Sequence, residues 1–404
     1  MMTDHCINEC SNTWMKCKHV SLLSLLRKPK SKVQLQRQKM GRLYRTRLKP
    51  ATKHLRQRLF DHATQIQSQR LPYQVIATLG KSKLRHYPAQ QLPQDSPQQI
   101  PLIMIAPLAV KMSIYDLFPD RSLIGYLNQH GFEVYLMDWG NLDRQDRHLD
   151  FEYFIFTAIP KFIQAARQHS GCQEISVHGW SLGGIFSLLY AASGQDQQIR
   201  NLVIMGSPID THASGWIGQL FAKSYAMFQV DRQYRQQWLA HQMNLQWIHS
   251  PAWLNSMGYK LLNPMKTLNT HWQMLRHSHD LDVVSAHATL SDFLDDMVDY
   301  PGAIVRDLIF WVWLQNPLKY GQAMYKNHHF DFQKIYSALL LVYGENDDIV
   351  TEQALHPLLN ITSSPDIHLQ SAPGGHLGMI SGRQNAAVFW AELQTWLTQR
   401  SEMH

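Results

Sequence analysis

No stretch of the 404-residue chain comes near the roughly 18 consecutive apolar residues that span a bilayer. The longest candidates, Val20–Leu26 and Leu308–Leu314, are both too short. The first follows Lys16 and Lys18 in the manner of a secretion signal. It runs straight into Arg27-Lys28-Pro29-Lys30, however, and offers no small-residue cleavage site. A cytoplasmic protein is expected. Cysteine is scarce as well: four residues make no disulfide framework in a chain of this size. Cys6, Cys10 and Cys17, with His5 and His19, match no zinc spacing, so reduced, unpaired thiols are expected. Internal repeats, a phosphate loop and a dinucleotide fingerprint are missing too, and with them any motif for a nucleotide cofactor.

Acidic residues are nearly missing from one region. Between residues 16 and 70 a single acid, Asp61, stands against 16 lysines and arginines, whereas residues 71–404 hold 22 bases and 28 acids. A mildly acidic body therefore carries a basic arm over residues 1–70. Such an arm is either a solvated, partly helical extension or a holder of an anionic surface or nucleic acid. Between residues 16 and 70 its only aromatics are Tyr44 and Phe60, too few to interleave as a base-stacking surface.

What the chain does have is apolar bulk. Hydrophobic residues make up 45% and aromatics 11%, enough for one large α/β domain or two smaller ones. Tyr73–Leu79 and Lys83–Tyr87 read as a hairpin closed around Gly80. Leu102–Ala106 is a short apolar strand of the buried parallel kind. A helix over Leu123–His130 stopped by Gly131, a strand over Phe132–Met137 and a helix over 152–168 follow. Ile175–Val177 and Leu202–Met205 are further strands, with helix-like Ile185–Ala192 between them. The alternation predicts a doubly wound, mostly parallel sheet. After Ser207-Pro208 the strand signal vanishes for about 130 residues, too long for a loop in a compact domain. Residues 211–335 are therefore expected to form a mainly helical cap, inserted over the carboxyl ends of the strands where such sheets bind ligands. Its tryptophans, Trp216, Trp238, Trp247, Trp253, Trp272, Trp311 and Trp313, make either cap core or an exposed apolar patch. A strand returns at Ala338–Tyr343 and a last helix covers 386–398, so residues 71–210 and 336–404 form the core.

Inside this pattern lies His178-Gly179-Trp180-Ser181-Leu182-Gly183-Gly184: strand, sharp turn, helix, with a serine at the apex of G-x-S-x-G. The plain reading is a tight turn. The functional reading is a nucleophile elbow. There the glycines supply a turn with no room for Cβ atoms, and the hydroxyl stands at the positive end of the next helix. A serine nucleophile then needs a carboxylate and a histidine, in that chain order. Asp347, just past the strand ending at Tyr343, is the carboxylate expected, with its neighbour Asp348 as rival. His376, in a glycine-rich turn between last strand and last helix, is the base. It would take the Ser181 proton while Asp347 fixes its tautomer. Negative charge on a substrate carbonyl needs two backbone N–H donors. These are expected at Leu182 and at Ala109 or Val110, in the loop after the first buried strand. His178 and His212, also near the cleft, are read as structural.

Asp116-Leu117-Phe118-Pro119-Asp120-Arg121-Ser122, the run from Gly131 to Gly140 and the elbow with its doubled glycine resemble polyhydroxyalkanoate synthases. The likeness is closest to the shorter catalytic subunits that work with a second protein. Tyr73–Tyr87, Tyr343–Val350 and Gly374–Gly378 fit the same family, so the resemblance covers residues 71–398 and leaves out the basic arm. It implies an α/β-hydrolase fold and an acyltransferase joining hydroxyacyl units from hydroxyacyl-coenzyme A to a polyester chain. No cofactor is implied beyond the coenzyme A thioester that serves as substrate. The family's nucleophile, aspartate and histidine fall on Ser181, Asp347 and His376. Two positions depart: the family's nucleophile is cysteine, and Val110 stands where it usually has asparagine. An acyl-serine ester is less activated than a thioester, and the hydroxyl needs full help from the histidine. A serine esterase or polyhydroxyalkanoate depolymerase on the same fold therefore stays open, as does a non-catalytic granule-surface binding protein. The implied partners are a second synthase subunit or a homodimer and a polyester granule, at a cytoplasmic, granule-associated location.

Overall fold

The computed structural model describes residues 32–68, 71–90, 99–227, 248–262 and 264–401. Cys6, Cys10, Cys17, His5, His19, Val20–Leu26, Trp238, Trp247 and most of the loop before the first buried strand lie outside the described residues. In chain order the strands are β1 (Gln74–Leu79), β2 (Ser82–Tyr87), β3 (Leu102–Ile105), β4 (Val134–Asp138), β5 (Ile175–Trp180), β6 (Ile199–Met205), β7 (Gln322–Tyr325), β8 (His328–Asp331), β9 (Ala338–Gly344) and β10 (Ile367–Ala372). Eight of them form one sheet in the order β1-β2-β4-β3-β5-β6-β9-β10. The β1–β2 hairpin and the β2–β4 pairing are antiparallel, and every pairing from β4 to β10 is parallel.

Successive side chains on a strand point to opposite faces. Leu102, Met104, Val134, Leu136 and Trp180 thus enter one apolar layer, and Ile103, Ile105, Tyr135, Met137 and Val177 the other. Each layer has its own helical cover. Helices Leu123–Gln129 and Phe389–Ser401 bring Leu127, Phe389, Trp390 and Leu397 to the first. Helices Ile159–Ser170 and Leu182–Ala192 bring Phe162, Ile163, Phe186 and Leu189 to the second. The sequence sets these boundaries locally: Ser122 Oγ accepts from the Gly125 N–H at one helix start, and Gly171 takes φ +71° at the end of the 159–170 helix. With helices on both faces, β3, β4 and β5 are buried throughout; β3 therefore reads as an unbroken apolar run, while β5 buries the polar Ser176 and His178 as well.

Residues 211–335, expected to be without strands, differ at their end. There β7 and β8 pair as an antiparallel hairpin, with Ala323, Tyr325 and Phe330 buried and Gln322, Met324 and His329 outward. Strands of four residues barely display an alternation, and paired histidines interrupt the apolar pattern. The hairpin joins Trp311, Val312 and Leu318 in the second apolar layer instead of covering the strand ends. That cover comes from helices Ala252–Leu262, Pro264–Arg276 and Leu281–Asp295. The described part of the arm is helical over residues 32–60, with one wider turn at Tyr44–Leu48. It docks on the insertion: His54 Nδ1 donates to the Ser278 carbonyl at 3.0 Å, and the Gln67 N–H to Thr289 Oγ1 at 2.8 Å. Among the described residues no helix is long and apolar enough to cross a membrane.

Candidate active site

The turn between β5 and the Leu182–Ala192 helix places Ser181 at φ +56°, ψ −123°, a conformation that L side chains rarely adopt. The surrounding glycines explain how it is held. A Cβ on Gly179 would run into Ser187 Oγ and the Gly184 backbone, one on Gly183 into the Ile105 carbonyl, and one on Gly184 into Ser207 Oγ. Helix and sheet thus meet backbone to backbone, and the Ser181 N–H bonds across to the Met205 carbonyl at 2.9 Å.

Three strand ends converge on this serine. Asp347 follows β9, with Oδ1 accepting the N–H groups of Ile349 and Val350 at 2.8 and 3.1 Å. His376 follows β10, after Gly374 at φ +92°. His376 Nδ1 meets Asp347 Oδ2 at 2.7 Å, and its Nε2 meets Ser181 Oγ at 2.9 Å. Asp347 is buried, whereas the rival Asp348 is exposed. Burial pushes the Asp347 carboxyl up, but the His376 imidazole and the Ile349 and Val350 N–H groups outweigh it and hold the group below the usual carboxylate range. The Trp180 ring stands 5.4 Å from that of His376.

Leu182 opens its helix, so its N–H has no acceptor within the helix. Ala109 and Val110 are buried in the loop that leaves β3, whose Ile105 is in register with Gly179 of β5, so the loop departs beside the elbow. Its course is pinned by Trp139 Nε1 donating to the Ala106 carbonyl at 2.7 Å and by Val298 N–H donating to the Ala109 carbonyl at 3.0 Å. His178 and His212 stay out of the constellation. His178 is fully buried edge-on to Tyr115, and burial pushes its pKa down to about 4. His212 Nε2 lies 3.0 Å from the Trp313 carbonyl.

A cavity of about 270 Å³ lies between the His376 turn and the insertion helices. Asp347, His376 and Leu377 form one wall, and Tyr259, Lys260, His271, His287 and Leu290 the facing one. His287 Nε2 and His271 Nδ1 are 3.0 Å apart, and burial with the neighbouring His271 and Arg58 charges pushes the His287 pKa down to about 4. Sequence reading missed this wall, because its members lie on separate helices with no shared spacing. Among the described residues no group of three His, Cys, Asp or Glu is placed to hold a metal.

The model for the alpha/beta hydrolase fold matches residues 114–383. Among curated proteins, the poly(3-hydroxyalkanoate) polymerase subunit PhaC of Haloferax mediterranei is 24% identical over 82% of this chain, which spans 64% of that protein's length. The subunit of the same name from Allochromatium vinosum is 27% identical over 81% of this chain and 89% of its own. Among solved structures, a soluble variant of the Saccharomyces cerevisiae monoglyceride lipase aligns with a TM-score of 0.55 at 16% identity, over 84% of this chain and 98% of the lipase. That likeness speaks for the fold alone. The chain belongs to the alpha/beta hydrolase fold family, as an enzyme of the acyltransferase or hydrolase kind whose sequence relatives are poly(3-hydroxyalkanoate) polymerase subunits.

Proposed function

We propose that the protein moves hydroxyacyl groups from hydroxyacyl-coenzyme A to the hydroxyl of a polyester chain through an acyl-Ser181 intermediate. The observation that carries this reading is the hydrogen-bonded series Asp347–His376–Ser181, at 2.7 and 2.9 Å, on a strained elbow. A degenerate site would have no reason to keep all three. The names of the relatives supply the substrate class.

Ser181 Oγ adds to the thioester carbonyl carbon as its proton passes to His376 Nε2. Negative charge collects on the carbonyl oxygen, for which Leu182 N–H and the N–H of Ala109 or Val110 are the proposed donors. The carbon–sulfur bond breaks, coenzyme A leaves with the proton from His376, and the acyl group stays on Ser181. A chain-end hydroxyl then gives its proton to His376 and attacks the ester, and Oγ regains a proton as its bond to the acyl carbon breaks. Asp347 keeps the Nδ1 proton in place throughout and stabilises the imidazolium.

Hydrolysis is the second reading, with water replacing the chain-end hydroxyl, and the oxygen nucleophile favours it because an acyl-serine stores less activation than a thioester. Trp216, Trp253 and Trp272 are 57%, 65% and 65% exposed, which supports an apolar partner such as a polyester granule, a second synthase subunit or another copy. Incubation with 3-hydroxybutyryl-coenzyme A separates the readings when thiol release and product size are followed together, with Ser181→Ala as control. Growing polymer supports the transferase and free 3-hydroxybutyrate the hydrolase; no release from the unmodified chain overturns the transferase, and failure to cleave preformed polyester as well overturns the hydrolase.

A further inference from the structure

We propose that the helical arm over residues 32–60 is a docking surface for an anionic phospholipid layer. The segment holds ten lysines and arginines and no acid. Arg42, Arg45, Arg47 and Lys53 all point into solvent. Large apolar side chains are exposed on the same helix: Met40 is 63% exposed, Tyr44 58%, Leu48 50%, Leu59 77% and Phe60 83%. Met40, Tyr44 and Leu48 recur at every fourth residue and so share a side.

A nucleic acid backbone would pair with the cations but leave Met40, Leu48, Leu59 and Phe60 in water. An apolar protein face would cover those four and bury unpaired cations. A layer of anionic headgroups takes both, phosphates meeting the bases while aliphatic side chains sink to the headgroup boundary. The neighbouring surface continues the pattern. Arg58 stands close enough to bear on His287, which pairs with His271 on the Pro264–Arg276 helix. That helix exposes Met265, Leu268 and Trp272, so a second apolar element flanks the cationic one. Tryptophan is a residue favoured at a membrane–water boundary. The arm's charge also sets orientation, because the rest of the chain sums to −3 once these ten bases are removed from the net +7, and is repelled by the same layer.

The full chain is mixed with phosphatidylcholine vesicles, with and without phosphatidylglycerol, and the bound fraction is read by sedimentation. Binding is expected only where phosphatidylglycerol is present, and it weakens with salt. Reversal of three charges, R42E/R45E/R47E, is expected to lower the partition by about a hundredfold, and M40D/L48D by about tenfold or more. Thermal melts of both variants should match the unmodified chain, since none of the five side chains is buried. Equal binding to neutral and anionic vesicles overturns the proposal, as does unchanged binding by either variant. Duplex DNA that competes fully with vesicles and is still bound by M40D/L48D also overturns it, and makes the arm a nucleic-acid site.

Discussion

At Ser181 the backbone holds a conformation that costs of the order of 1–3 kcal/mol in an ordinary chain, so the residue is kept there by its surroundings and not by its own preference. The side chain can therefore be exchanged without moving the turn. Ser181→Ala is expected to lower kcat by about 10⁴-fold or more. Ser181→Cys stores the acyl group as a thioester and is expected to raise the ratio of polymer to free acid, read from product size. Asp347→Asn leaves the hydrogen-bonding shape but favours the wrong imidazole tautomer, so a fall of about 10⁴ in kcat with little change in KM is expected from steady-state kinetics. His178 acts on stability instead. Its pKa falls from the usual 6.5 to about 4 on burial, so between these values the unfolded chain binds a proton that the folded one refuses. Stability from this group is complete above pH 6.5 and declines as the pH drops toward 4. His178→Phe should flatten that decline in melts taken across the same range.

Among the elements, the contact of β3 with the helix after the elbow is the least tolerant of change. Gly183→Ala drives a methyl onto the Ile105 carbonyl, and a backbone oxygen cannot turn aside as a flexible side chain can. A loss of about 1–3 kcal/mol is expected, seen as a lower denaturant midpoint, together with slower labelling of Ser181 by a fluorophosphonate. The same glycines made the elbow legible in the sequence, since a turn that excludes Cβ atoms must be written in glycine. His376 was legible for a related reason, lying among glycines past the last strand. Asp347 was preferred to Asp348 by its place in the chain alone, because adjacency says little about which carboxylate turns inward; in the structure Asp347 is buried and Asp348 exposed. The β7–β8 hairpin was hidden by short strands and by histidines that mask its alternation. The wall of Tyr259, His271 and His287 was out of reach altogether, since it exists only once three helices are packed together.

The whole molecule is a doubly wound body with a cationic helix fastened to its helical insertion. Among the described residues, hydrogen bonds from His54 to Ser278 and from Gln67 to Thr289 fasten the arm, while most of the helix faces solvent. Deleting residues 1–68 should therefore lower the melting temperature by only a few degrees and leave thioester turnover intact, which melts and thiol release would check. The charge pattern of that arm reaches further than any contact it makes. Ten cations lie along one helix while everything else sums to −3, so the protein is an electric dipole as well as a net charge. Titrated to the pH where the net charge vanishes, it should still cling to a cation-exchange column and turn in an applied field to lead with the helix. A chain of equal composition with its lysines and arginines spread evenly would pass through the column unretained.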